Sequence, residues 1–186
     1  MRVDVYKNTR RMNKIICFSL HCLIFSLPFS PVNSRENGAS LIDTTCKTTP
    51  FYNLCVSVLQ SDPHSSSADI PGLAQIAANQ VKAKATATLK QITNLLKQSK
   101  DQSLKKALLD CVDYYNAIVE YDVPTAIDAV VKGDPKFGVQ GLNDAANEAL
   151  ACERRFEKQP KFPIEGDNKV VHDLSAVASS IVALLL

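Results

Sequence analysis

The sequence predicts an all-α fold: an antiparallel up-down four-helix bundle with an N-terminal helical hairpin extension and two disulfides. Three observations predict it. Apolar residues recur at three- and four-residue spacing along several long segments, which are separated by short breaks carrying Pro, Gly and Asp. The composition lacks Trp, is poor in aromatic residues and is dominated by Ala, Leu, Val, Ser and Lys, a mixture that favours helix over sheet. Four cysteines follow a segment with the pattern of a secretory signal. Neither period-two strand patterns nor regular repeats occur in the sequence.

The signal comes first in chain order. Arg2, Lys7, Arg10, Arg11 and Lys14 form a basic run, Ile15 to Phe29 an apolar stretch, and Val32 and Ser34 a small-residue cleavage site. Residues 1–34 are therefore expected to be cleaved. His21 and Pro28 interrupt the apolar stretch, which falls short of the roughly 20 residues needed to cross a bilayer, so no membrane anchor is expected to remain. Without this segment, 21 basic and 19 acidic side chains become 16 and 18, and the formal charge moves from +2 to −2. The mature chain then carries no basic patch that would argue for a nucleic-acid partner. Residues 35–186 make one domain, large enough to bury about two-thirds of its unfolded surface.

Within that domain, residues 39–62 predict a helical hairpin broken at Thr49-Pro50, and residues 69–186 the bundle. Asp62-Pro63 and Ser65 to Ser67 read as a linker between the two. A helix over 69–99 has Asp69 as its cap and Pro71 in its first turn, with Leu73, Ile76, Ala77, Val81, Ala85, Thr88, Ile92, Leu95 and Leu96 as its core stripe. The next helix follows Asp101, a second cap, and carries Leu104, Leu108, Cys111, Tyr115 and Ile118 on one face. Asp122-Val123-Pro124 predicts a kink or restart, with a shorter helix from Thr125 to Lys132 that ends at Gly133. A third long helix runs over 135–158 with Leu142, Ala145, Ala149, Cys152 and Phe156 on one face. Pro160, Pro163 and Gly166 break the chain before a last helix over 168–186, whose stripe is Val171, Leu174, Val177, Ala178, Ile181 and Leu185. Short connections between long amphipathic helices make neighbours antiparallel.

Cys17 and Cys22 leave with the signal, so Cys46, Cys55, Cys111 and Cys152 remain. Three pairings are open; spacing favours Cys46–Cys55, bracketing Pro50, and Cys111–Cys152, joining two long helices. A four-cysteine zinc site needs close C-x₂₋₄-C pairs, which the sequence lacks, so no metal is expected.

Catalytic patterns are also missing. The mature chain has two histidines: His64 in the linker, and His172 beside Asp173 in the last helix, where neighbours point about a hundred degrees apart and a solvated histidine is expected. There is no H-E-x-x-H, no G-x-S-x-G and no phosphate-cradling glycine loop. Acid pairs such as Asp110/Asp113 and Glu153/Glu157 sit among basic residues as on a solvated helix face. No cofactor and no enzyme activity are expected.

One segment breaks the local rules. In Gly133-Asp134-Pro135-Lys136-Phe137-Gly138, Asp134 is placed to cap a helix and Pro135 to open it. Lys136 then stands in a first turn, where the helix dipole disfavours a cation, and Gly138 and Gly141 each weaken the helix by about 1 kcal/mol relative to Ala. Two arrangements are compatible with this. Either Lys136 and Phe137 project together with little bulk around them, or Phe137 tucks under the loop and Lys136 is merely solvated.

At this point the chain resembles a known family. Thr44-Thr45-Cys46-Lys47-Thr48-Thr49-Pro50 with Tyr52-Asn53-Leu54-Cys55 is similar to the opening of plant invertase/pectin methylesterase inhibitor-like proteins. Ser61-Asp62-Pro63, Leu109-Asp110-Cys111 with Tyr114-Tyr115, Cys152-Glu153, Val171-His172-Asp173-Leu174-Ser175 and Leu184-Leu185-Leu186 also fit. The Pro135-Lys136-Phe137 run resembles a motif of the branch that inhibits β-fructosidase. The resemblance implies the bundle with its hairpin, the pairing Cys46–Cys55 and Cys111–Cys152, and a secreted protein of apoplast or vacuole. It also implies acid invertase as the partner, with Asp134, Pro135, Lys136 and Phe137 as the inhibitory residues, and inhibition of pectin methylesterase as the alternative. One departure is the absence of N-glycosylation sequons.

Overall fold

The structure, a computed structural model, describes residues 34–186. The expected signal segment, residues 1–34, lies outside the described residues except for Ser34, the first residue of helix α1 (Ser34–Cys46). Helix α2 (Tyr52–Ser61) turns back on α1, and the Cys46–Cys55 disulfide joins the end of one to the start of the other with a Cα–Cα distance of 5.5 Å. Gly38 of α1 lies so close to a 3₁₀ turn at Ser65–Ser67 that a Cβ there would stand 2.1 Å from the Ser66 carbonyl oxygen. The linker expected from its serines is thus ordered, and it packs on the hairpin.

Four long helical segments follow: α3 (Ile70–Gln98), α4 (Gln102–Ala117) continuing into α5 (Val123–Lys132), α6 (Pro135–Arg154) and α7 (Glu165–Ala183). The α4–α5 arm and α7 both pack on α3 and on α6, which closes a four-helix bundle. The fold is all-helical, with no strand among the described residues. Both expected caps form: Asp69 Oδ1 accepts from Gly72 N at 2.9 Å, and Asp101 Oδ1 from Ser103 N and Leu104 N at 2.7 and 3.2 Å.

The apolar stripes converge as their periodicity requires, with Leu73, Val81, Ile92, Leu108, Leu142, Val171 and Ile181 fully buried between helices. Ile76, Leu95, Leu96, Leu104 and Leu185 pack only at the margin of this core. Inside it, buried Tyr115 donates its hydroxyl to Asn168 Oδ1 (2.9 Å), and Asn168 Nδ2 donates to the Ala149 carbonyl (3.0 Å), tying α4, α6 and α7 together. A buried group left without such a partner would cost about 1–3 kcal/mol.

Several helix boundaries differ from the sequence expectation. The helix expected at Thr125 starts at Val123, because the chain does not stop at Pro124. Residues Ile118–Asp122 form a π-helical turn, which widens the ladder and leaves Pro124 in the first turn of α5, where its missing N–H has no partner to lose. Helix α6 ends at Arg154 rather than Lys158; the chain then folds over the core, with Phe156 stacked on Phe162 at a 4.4 Å centroid separation. Helix α7 starts at Glu165, three residues early, with Glu165 and Asp167 in its first turn as the dipole favours, and ends at Ala183. The second disulfide, Cys111–Cys152 with Cα atoms 4.8 Å apart, pins α4 to the C-terminal end of α6.

Candidate functional site: the loop between α5 and α6

The connection between α5 and α6 is only two residues long, and its shape follows from hydrogen bonding. Gly133 takes the left-handed conformation (φ +78°) that only glycine adopts without strain. Its N–H bonds the Val130 carbonyl (3.3 Å), and that of Asp134 bonds Ala129 (2.8 Å), a Schellman closure of α5. Pro135 then occupies the first position of α6, its fixed φ preset for helix. Asp134 sits at the cap position as expected, but its carboxylate makes no cap bond. Instead its backbone carbonyl accepts from Phe137 N (3.1 Å) and Gly138 N (3.4 Å), and the side chain stays exposed.

Of the two arrangements compatible with the sequence, the structure adopts the projecting one. Phe137 is 61% exposed, and Lys136 is exposed without an ion-pair partner among the described residues. Gly133 to Phe137 line a depression of about 380 Å³ whose other wall is Leu185 and Leu186. Phe137 also borders a second depression of about 220 Å³, shared with Tyr121, Asp122 and Asp144. Tyr121, 66% exposed, and the two leucines were not legible as site residues, because only the packing of α7 and the π turn brings them beside the loop.

The flanking glycines have a different role from the open space the sequence suggested. A Cβ on Gly138 would stand 2.9 Å from Val182 Cγ1, and one on Gly141 would stand 2.5 Å from the Asp122 carbonyl oxygen. They let the first two turns of α6 press against α7 and the π turn, which seats the loop rather than leaving it bare.

Asp122, in that π turn, carries a half-buried carboxyl group. Its Oδ2 is buried without a hydrogen-bond partner, and burial together with the nearby Glu148 and Asp144 carboxylates pushes its pKa up to about 6. Burial and Asp144 also raise Glu148. A raised folded-state pKa means that protonation favours folding. The contribution is present in full below about pH 4 and is lost as pH rises through 6. Asp122→Asn is therefore expected to raise the melting temperature by about 3 °C at pH 7.5, on the order of 1 kcal/mol after allowance for solvent screening, and by much less at pH 4.5. Thermal unfolding of both proteins across this range checks it; equal gains at both pH values would refute the assignment.

His172 and Asp173 do meet, although the His172 side chain stays 37% exposed. The ring Nδ1 reaches Asp173 Oδ1 at 3.0 Å, because two flexible side chains span the angle between adjacent helical positions. Burial alone would raise Asp173, yet hydrogen bonds from Lys169 and His172 hold its pKa below the usual value. No serine or cysteine is hydrogen-bonded to His172 among the described residues; the pair ties α7 to itself. No cluster of metal-binding side chains occurs among the described residues.

The disulfide-stapled helical bundle thus presents a cation and an aromatic ring beside a two-residue connection. Similarity to known proteins gives the family. The family model for plant invertase/pectin methylesterase inhibitors matches residues 40–182, and the chain belongs to that family. It is 45% identical over 142 residues to the cell wall/vacuolar inhibitor of fructosidase 1 of Arabidopsis thaliana, covering 76% of this chain and 67% of the relative. Over 97 residues it is 42% identical to inhibitor of fructosidase 2 of the same plant, covering 50% of this chain but only 54% of that relative. A crystal structure of a mutant pectin methylesterase inhibitor from Arabidopsis shares the fold, with a TM-score of 0.70 at 22% identity over 78% of this chain and 97% of that one. Each of these relatives is named as an inhibitor rather than an enzyme. No described helix is long and apolar enough to cross a membrane.

Proposed function

We propose that the protein inhibits acid invertase by inserting Pro135, Lys136 and Phe137 into the sucrose-binding cleft, with Asp134 at its rim. The observation that supports this best is the exposed Lys136–Phe137 pair, held beside a connection closed on both sides by backbone hydrogen bonds. Docking then breaks no internal ion pair of Lys136.

The chemistry is complementary. A retaining glycosidase works with two carboxyl groups about 5–5.5 Å apart in a cleft shaped for sugar rings. An ammonium offered there meets opposite charge in a site of falling dielectric, where attraction grows. Phe137 stacks where a sugar face would lie, and Pro135 with Gly133 limits the ordering cost on binding. The relatives' names place them at cell wall and vacuole, and a secretory route through residues 1–34 delivers this chain to the same compartments.

Lys136→Ala and Phe137→Ala are each expected to raise the inhibition constant for acid invertase at least tenfold, about 1.4 kcal/mol or more, with helical content unchanged. The same proteins are titrated into pectin methylesterase. Unchanged invertase inhibition by both variants would remove the loop from the mechanism, and inhibition of pectin methylesterase alone would reassign the target.

A further inference from the structure

A surface depression of about 440 Å³ lies away from the loop, where the start of α4 faces the end of α6. Helix α6 is 20 residues long, so this site is about 30 Å from Pro135 along its axis. Lys106, Arg154, Arg155 and Lys158 converge on it, against the two carboxylates Asp110 and Glu157. Arg155 is held in place: its guanidinium donates to the Tyr114 hydroxyl, lies 5.5 Å from that ring's centroid, and sits 3.4 Å from Asp110 Oδ2. Lys106, Arg154 and Lys158 have no ion-pair partner among the described residues.

Helix-dipole complementarity explains Arg154, in the last turn of α6, but not Lys106, which lies toward the positive end of α4. Three unpaired cations therefore share a concave site in a domain whose overall formal charge, without residues 1–34, is negative. The site is also rigid. The Cys111–Cys152 disulfide pins its two helices one residue from Asp110 and two from Arg154, and the Phe156–Phe162 stack anchors the segment that follows.

We infer that this depression is a binding site for an acidic saccharide, a short oligosaccharide carrying uronate carboxylates. Its lining decides between ligand chemistries. A bare inorganic anion would satisfy the cations but be repelled by Asp110 and Glu157. An acidic sugar supplies carboxylates to Lys106, Arg154 and Lys158, and hydroxyl donors to the two acids. Ser103 and Gln159, hydrogen-bonded to each other at 2.7 Å, add neutral partners of the kind sugar hydroxyls use. The volume lies within the range of small-ligand sites.

The test is calorimetric titration of the purified protein with tri-galacturonate, its methyl ester, inorganic phosphate and hexaglutamate, at 20 and 150 mM salt. Saturable 1:1 binding of the trimer is expected, weakening with salt and at least tenfold weaker for the ester. The variant Lys106→Gln/Lys158→Gln, changed only at exposed positions, should lose at least tenfold. Lys136→Ala and Phe137→Ala should bind the trimer normally, so this site and the inhibitory loop stand or fall separately. Absence of trimer binding, or binding indifferent to the double variant, would overturn the site. Phosphate or hexaglutamate binding as tightly as the trimer would overturn the saccharide assignment.

Discussion

Replacing both Cys111 and Cys152 by Ala is expected to destabilise the protein by about 4 kcal/mol, with a fall in melting temperature of about 10 °C. The bond spans 41 residues, and in the chain-entropy picture opening a loop of that size frees far more of the unfolded ensemble than opening the nine-residue loop of Cys46–Cys55, worth about 2.5 kcal/mol. Alanine is the right replacement because all four cysteines are fully buried, and a serine would add an unpartnered hydroxyl. The bond does not brace the helices that flank the Pro135-Lys136-Phe137 loop: those are α5 and α6, whereas it ties α4 to the far end of α6. Below its melting temperature, the double variant should therefore keep its inhibition constant for the target enzyme. Denaturant unfolding without reductant measures the first effect. A larger loss from the Cys46/Cys55 double variant, or loss of inhibition in a folded Cys111/Cys152 variant, would contradict this account.

Gly141→Ala is the second large effect, and it opposes intrinsic preference. In a helix interior, alanine is favoured over glycine by about 1 kcal/mol. At Gly141, however, the added methyl would meet the Asp122 carbonyl oxygen at 2.5 Å and the Ala126 Cβ at 3.2 Å. Backbone cannot swing aside as a side-chain end can, so overpacking of about 3 kcal/mol outweighs the propensity gain, for a net loss near 2 kcal/mol. Because Gly141 also seats the first turns of α6, the loop should shift and inhibition should weaken with stability. Gly166→Ala is the control. It lies in the first turn of α7 with nothing within 4 Å of the new atom, and a gain of about 0.5 kcal/mol is expected. If both substitutions behave alike in chemical denaturation, the close approach of α6 to the π turn is not what restricts position 141.

What could be read without coordinates follows a physical line. Asp69, Asp101, Pro71 and Gly133 act through their own backbone neighbourhood, so their roles are local and appeared in the sequence. The stripes of α3, α4, α6 and α7 were legible for the same reason: burial in a bundle repeats with the helical turn. Asp134 shows the limit, since identity put it at a cap position but the actual φ and ψ there turn its carboxylate away from the N–H groups. Gly138 and Gly141 looked like weakness in the helix because their purpose lies on other helices. Tyr121, Leu185 and the basic depression between α4 and α6 depend on which ends of distant helices meet, which periodicity does not encode. Within the loop, Pro135, Lys136 and Phe137 stood out because they violate local preference, and a violation needs no partner to be noticed.

The π turn at Ile118–Asp122 carries one consequence for the loop. A widened turn holds an additional residue, and each residue of an α-helix advances the chain by about 100° around its axis. Everything downstream in α5 is rotated by that amount relative to a straight continuation of α4. The compass bearing of Lys136 and Phe137 is thus set some fifteen residues upstream, by a count of residues rather than by the loop's own chemistry. Shortening the π turn by one residue would leave the Pro-Lys-Phe run intact in sequence and aim it a quarter-circle away.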